Sequence, residues 1–336
     1  MEVLLQQLIE EAIQRKSEDI YLMPLPHKYE ISIRTNGFPS HFRYLKSEIA
    51  DQLINHVKFK ADMQVGERRK PQSGSMDLFI KEQTIPLRIS TISNFKGQES
   101  MVIRLHLNFQ LSKGAYVSDQ HYQILKEWLL QKSGLLLFSG PVASGKTTTM
   151  YQLLDDRYRH IKSSVITMED PVELIDSRYL QAEINPQAGI SYDILIKSAL
   201  RHHPDILLIG EVRDEETARM MIRAALTGHL VLATIHAKNT IGVLNRLIEL
   251  GISKQQLIQS LLGVSSQRLI PLSESSHHSK QIKRAVLFEL MTATEAKAYL
   301  LKQTPLKKEE SFNGQLDQLL EEARISYETY QQFFLR

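Results

Sequence analysis

The sequence predicts a mixed α/β protein of two units, and three observations predict it. Between residues 135 and 235, short apolar runs alternate with helical stretches, the signature of a mainly parallel sheet covered by helices. Ahead of them, residues 1–106 mix strand-like and helical runs in a different order, enough for a separate α/β unit of about a hundred residues. Regular periodicity lapses over residues 107–119. The expected division is therefore 1–106, a linker at 107–119, and 120–336, whose part beyond about residue 253 is mainly helical.

The elements follow in order. Leu4, Leu5, Leu8, Ile9, Ala12 and Ile13 recur at helical spacing, so the chain opens with an amphipathic helix. Strand-like runs come next at 19–23 and 29–35, with Asn36 and Gly37 supplying a turn that favours positive φ. Residues 49–59 carry an apolar helical face, and strands are expected at 75–80, 85–92 and 100–106. In the second unit the apolar strands are 135–138, 165–168, 206–209 and 230–235. Past residue 253 the exceptions to helix are a polar loop at 273–283 and a strand-like run at 285–290.

Composition narrows the function. Lys and Arg number 41 against 38 Asp and Glu, a net charge of +3, so the balance demands no nucleic-acid footprint and no direct nucleic-acid binding is expected. There is no cysteine, which excludes disulfides, thiolate zinc sites and cysteine nucleophiles. Glu2, Glu10 and Glu11 interrupt the N-terminal stretch, so it does not read as a signal peptide. No apolar run approaches the roughly 18 residues needed to span a bilayer. The expected location is cytoplasmic, with any attachment to the cytoplasmic face of the membrane made through partners.

The strongest local signal is Gly140, Gly145, Lys146 and Thr147, which fit G-x-x-x-x-G-K-[ST]. An apolar strand precedes the loop and a helical pattern follows, as a phosphate cradle requires. Glycines let the backbone turn tightly, so that successive N–H groups point at phosphate oxygens. Gly140, Ser144, Gly145, Lys146, Thr147 and Thr148 are the expected nucleotide-binding residues. Lys146 would neutralise the β- and γ-phosphates of ATP, and the Thr147 hydroxyl would ligate Mg²⁺.

Acids at strand ends face the ligand crevice of such a sheet. The strand at 165–168 runs into Glu169, and that at 206–209 into Gly210 and Glu211. An acid at a strand end is by default a solvated terminus. Two of them downstream of a P-loop suit hydrolysis, which needs one carboxylate on the metal side and another on the attacking water. Glu211 is expected at the Mg²⁺ and Glu169 at the water. His229 and His236 bracket the strand at 230–235, and both are expected near the γ-phosphate as sensors.

Together these residues resemble the secretion ATPases of type II secretion and type IV pilus systems. The P-loop, residues 166–173 (ITMEDPVE), 205–214 (DILLIGEVRD) and 227–236 (TGHLVLATIH) resemble that family's Walker A, Asp box, Walker B and His box. The resemblance extends to residues 17–20 (SEDI), 71–72 (PQ), 87–90 (LRIS), 102–105 (VIRL) and 267–269 (QRL), so it covers most of the chain. It implies an N-terminal PAS-like α/β domain joined to a RecA-like P-loop ATPase domain with a helical C-terminal extension. It further implies a homo-hexamer, a polytopic membrane platform protein as partner, and positive charge supplied to the phosphates by Arg88 and Arg104.

The departures from the family pattern bear on subtype. Residues 271–283 stand where many members carry a four-cysteine zinc motif, so no zinc is expected, and His277 and His278 read as loop. Tyr21 replaces a usual His, Asn36 a usual Asp, and Ser73 and Ser75 flank Gly74 in place of Asp and Arg. The large extra N-terminal domain of many members is not expected. A short, zinc-free member is similar to the branch that assembles the competence pilus for DNA uptake. Retraction ATPases are also short, but their Ala-Ile-Arg-Asn-Leu-Ile-Arg segment is not found here. A nucleic-acid translocase and a nucleotide-binding regulator without turnover are the remaining alternatives.

Overall fold

Why two sheets form is visible in how the apolar residues alternate, and a computed structural model describes residues 1–15, 17, 19–35, 38–80, 83–105, 116–185, 188–273 and 284–335. The chain divides into two units, Met1–Gln110 and Leu111–Arg336. Most of the expected linker, the Asn36-Gly37 turn, Glu18 and the loop containing His277 and His278 lie outside the described residues.

The first unit contains helix α1 (Glu2–Gln14), strands β1 (Asp19–Leu25), β2 (Lys28–Thr35) and β3 (Phe38–Lys46), helix α2 (Ser47–Lys60), and strands β4 (Gln72–Ile80), β5 (Gln83–Ser93) and β6 (Glu99–Leu105). The strands form one antiparallel sheet in the order β3-β2-β1-β6-β5-β4. Leu5, Leu8 and Ile9 of α1 and Leu53, Ile54 and Val57 of α2 share a core with the inward residues of the strands. In β6 those are Met101, Ile103 and Leu105, which leaves Arg104 on the opposite face. β3 was not foreseen. It is an edge strand whose Pro39, Ser40, His41 and Arg43 erase the apolar alternation that marks a half-buried strand. Lys58 is fully buried, and its Nζ donates to Glu99 Oε1 and to Glu67 O, both at 2.7 Å.

The second unit runs α3 (Asp119–Leu129), β7 (Gly134–Ser139), α4 (Lys146–His160), β8 (Val165–Glu169), β9 (Leu180–Glu183), α5 (Tyr192–Ala199), β10 (Ile206–Ile209), α6 (Glu215–Leu226), β11 (Leu230–Ile235), α7 (Thr240–Glu249), α8 (Lys254–Ser260), β12 (Leu261–Pro271), β13 (Arg284–Thr292), α9 (Ala293–Lys302), α10 (Phe312–Glu321) and α11 (Tyr327–Phe333). Its sheet has the order β13-β12-β7-β11-β10-β8-β9, parallel throughout except where β13 returns against β12. Every residue of β7, β8, β10 and β11 is buried, because helices cover both faces. Alternate residues feed two cores, Leu135 and Leu137 into one, Leu136 and Phe138 into the other.

Helices α8 to α11 hold most of the regular structure described beyond residue 253, as expected, but β12, an 11-residue strand, was not among the expected exceptions. Its centre, Ser265, Ser266, Gln267 and Arg268, is polar yet buried, so neither period shows in the sequence. β9 also escaped notice, being short, partly exposed and at the sheet edge. Among the described residues no helix is long and apolar enough to cross a membrane.

Candidate nucleotide-binding site

The P-loop leaves the sheet at Ser139 and re-enters regular structure at Lys146, the first residue of the 15-residue helix α4. Two glycines are required here. Gly140 has φ +147°, and a Cβ on it would lie 2.4 Å from Gln267 O and 2.7 Å from Ser144 Oγ. Gly145 has φ +85° and is the N-cap of α4, with no side chain to satisfy the first-turn amides. Those amides and the helix dipole make an anion cradle. Ser144 Oγ is buried and takes no hydrogen-bond partner among the described residues, so an acceptor-rich ligand fits the loop. Thr147 is half-buried and Thr148 exposed beside it.

Lys146 Nζ donates to Gly140 O at 2.9 Å and Pro141 O at 3.0 Å. Burial holds its pKa below the ordinary lysine value; the charges of Glu211 and Glu173 oppose that, and Arg268 adds to it.

Parallel pairing sets the acids beside one another. Ile209 of β10 lies opposite Met168 of β8, and Gly210 N donates to Met168 O at 2.7 Å. Glu169 and Glu211 therefore leave adjacent strands at the same end as the P-loop. Their surroundings differ. Glu211 is held by Arg213 Nη2 at 2.5 Å and His236 Nε2 at 3.2 Å. Glu169 is 4% exposed, and its Oε1 accepts from Tyr151 OH at 2.6 Å and Thr167 Oγ1 at 2.7 Å. Burial holds its carboxyl above the usual range against those hydrogen bonds, and the charge of Glu173 pushes the same way as burial. Glu173 itself is exposed. The carboxylates whose charge acts on Lys146 are thus Glu211 and Glu173, the second of which sequence reasoning gave no role.

The two histidines separate. β11 pairs with β7 from Leu230 opposite Gly134 to Ile235 opposite Ser139. His236 follows the P-loop end, whereas His229 precedes the other end, its carbonyl accepting from Gly134 N at 3.1 Å. Six strand residues at about 3.3 Å each span about 20 Å. Within one chain, the expected sensor role of His229 beside the same phosphate is therefore corrected. His229 Nδ1 instead lies 3.2 Å from Ala224 O, next to the end of α6.

In the first unit, Arg88 and Arg104 are direct cross-strand partners, and Asp19 stands opposite Arg104 on its other side. Arg104 binds the buried Asp19 carboxylate twice, at 2.7 and 3.2 Å, and Arg34 lies 3.8 Å from the same group. Three guanidinium groups thus share a row with a single carboxylate, and Ser75 ends that row opposite Arg88.

Comparison with known proteins agrees with this geometry. A family model described as Type II/IV secretion system protein matches residues 1–320. Competence protein ComGA of Bacillus subtilis (strain 168) is 35% identical over 341 residues, covering 98% of this chain and 90% of that protein. Competence protein ComGA of Streptococcus pneumoniae is 41% identical over 265 residues, 79% of this chain and 83% of that one. Among solved structures, the pilus retraction motor PilT with bound ADP has a TM-score of 0.74 at 24% identity, over 98% of this chain and 97% of that one. The ATPase DotB of Legionella pneumophila has a TM-score of 0.74 at 17% identity, over 99% and 95%. These two likenesses concern the fold. With a P-loop, its strand-end acids and a family match over nearly the whole sequence, the chain belongs to the Type II/IV secretion system proteins and is an ATP-hydrolysing P-loop motor.

Proposed function

We propose that the chain is the Mg²⁺-dependent ATPase that powers assembly of a competence pilus for DNA uptake. The observation that carries this reading is the likeness to competence protein ComGA across 98% of the chain. In this reading the first unit is PAS-like and the second RecA-like, six copies form a ring, and the ring works at the cytoplasmic face of the membrane on a polytopic platform protein.

The roles follow from chemistry. Ser144, Gly145 and Thr148 amides with Lys146 bind the phosphates. Thr147 and Glu211 would hold Mg²⁺, which would supply neutralising charge to the phosphate oxygens. His236, bonded to Glu211, reports the γ-phosphate. Glu169 is reassigned. With Oε1 already taken by two hydroxyl donors in a buried site, it suits anchoring of the segment after β8 better than attack on water. Glu173, exposed and on the same segment, is left to take the water.

The function is tested in the host cell by removing the gene and restoring it. Cells without the chain should show no surface pilin and no DNA uptake, and the wild-type gene should restore both. Surplus surface pilin in the deletion strain would instead identify a retraction motor and overturn the assembly reading.

Arg88 and Arg104 are proposed, on the family resemblance, to supply charge to the phosphates during hydrolysis. The two guanidinium groups stand side by side across β5 and β6, and each offers paired donors suited to phosphate oxygens. Arg88→Ala and Arg104→Ala should fold, bind ATP and assemble, yet turn over at least about tenfold slower, or about 1.4 kcal/mol of transition-state stabilisation. Unchanged phosphate release at saturating ATP in both variants would reduce these arginines to surface charge.

A further inference from the structure

The Gln267-Arg268 pair is left without a role by everything above, yet it touches more of the site than any other element of β12. Ser266 pairs with Ser139, so Gln267 emerges beside the point where the P-loop leaves the sheet. Gln267 is wholly buried. Its Nε2 donates to Ser144 O at 2.8 Å and to Thr149 Oγ1 at 3.3 Å, while its carbonyl closes on Gly140. One residue therefore grips the loop at its start, at its end and on the first turn of α4. Gln267 Oε1 is buried without a partner among the described residues, an arrangement that packing alone does not favour.

Arg268 turns toward the other side. Its Nη2 donates to Lys238 O at 2.6 Å, in the segment between His236 and α7. Its guanidinium lies 4.8 Å from the ring centre of Phe312, the first residue of α10. Glu289, on the neighbouring strand β13, accepts from Thr240 N and Oγ1 at 2.8 Å and from Phe312 N at 2.9 Å. A single buried carboxylate thus holds the first residues of α7 and α10 together. From the P-loop to α10 the path runs through the Gln267 hydrogen bonds, the peptide bond to Arg268 and the contact of its guanidinium with the Phe312 ring.

We propose that Gln267 and Arg268 are positioning residues through which the C-terminal helix α10 reads whether the P-loop holds nucleotide. The inference rests on the P-loop being the nucleotide site. A shift of Ser144 or of the first turn of α4 moves the Gln267 amide. The next residue then carries that movement to Phe312, because interlocked side chains and buried hydrogen bonds shift as a unit. α10 would thereby report ATP occupancy to whatever binds it.

The test uses the full chain, a non-hydrolysable ATP analogue with Mg²⁺, and hydrogen exchange of the α10 backbone amides. In the wild type, saturating analogue should slow exchange in α10 by at least about threefold. Gln267→Ala should still bind the analogue, within about tenfold of wild-type affinity, and lose the α10 response. Its kcat should fall more than its KM rises, a split that general loosening would not produce. Arg268→Lys keeps the charge but cannot reach the carbonyls of Gln267 and Lys238 at once while lying against Phe312, so it should lose the response too, and it guards against a folding defect in the first variant. A wild-type α10 indifferent to bound analogue, or a response that survives in both variants, overturns the inference alone. Failure of the wild type to bind the analogue at all overturns the nucleotide reading, and this inference with it.

Discussion

Lys146→Ala should give a folded protein that does not hydrolyse ATP. Lys146 opens α4 at the rim of the loop, and its ammonium already sits among phosphate-like acceptors, the carbonyls of Gly140 and Pro141. Phosphates placed in the cradle offer that ammonium stronger acceptors than carbonyls do, since charge-assisted hydrogen bonds are the stronger ones. As negative charge builds up during phosphoryl transfer, a fixed cation in a water-poor site is worth more than in solvent. Losing one such donor commonly costs 10²–10³ in rate, so turnover should fall at least about 10²-fold and nucleotide affinity should weaken. Stability should move little. Alanine relieves the burial penalty on the ammonium but gives up its hydrogen bonds to Gly140 O and Pro141 O, so the two effects oppose and the melting temperature should stay close to that of the wild type. Phosphate release, nucleotide titration and a melting curve on one preparation check all three. Normal turnover in a folded Lys146→Ala protein would remove the P-loop assignment.

How far the sequence alone reaches depends on whether a feature is local. The P-loop is local: glycine, lysine and hydroxyl stand within eight positions, and the structure finds Gly140 and Gly145 in the positive-φ conformations that spacing implies. β5 and β6 are local too, since alternation around Arg88 and Arg104 fixes which face each side chain takes. β12 is not local. Its polar centre is buried because β7 and β13 flank it and helices α7 and α9 pack against it, and nothing within Leu261–Pro271 announces those neighbours. The histidines show the same limit in small form. Both flank one strand in sequence, but a strand has two ends, and only pairing with β7 tells which end meets the P-loop. Composition likewise could not reveal that Lys58 is buried against Glu99, since the two residues meet only when α2 packs over β6.

The choice between Glu169 and Glu173 was illegible for a related reason, and it yields the second large expected effect. Glu169 ends β8 and Glu173 follows it, and their environments are separated by burial and by the hydroxyls of Thr167 and of Tyr151, the latter brought in by α4. Three single substitutions sort the roles. Glu211→Gln and Glu173→Gln should still bind ATP but turn over at least about 10²-fold slower, or about 2.7 kcal/mol. A carboxylate acting on metal or water contributes to the transition state more than to ground-state binding, so kcat should fall far more than KM rises. Glu169→Gln should behave differently. The amide oxygen can still accept from Tyr151 and Thr167, and a neutral group suits a site where burial already favours the neutral form. Its turnover should drop by no more than about tenfold. The measurement is kcat and KM by phosphate release, with nucleotide binding followed separately so that a folding defect is not mistaken for lost chemistry. If Glu169→Gln is as damaging as Glu211→Gln while Glu173→Gln is nearly normal, the water belongs to Glu169. The hydroxyls of Tyr151 and Thr167 would then be orienting a base.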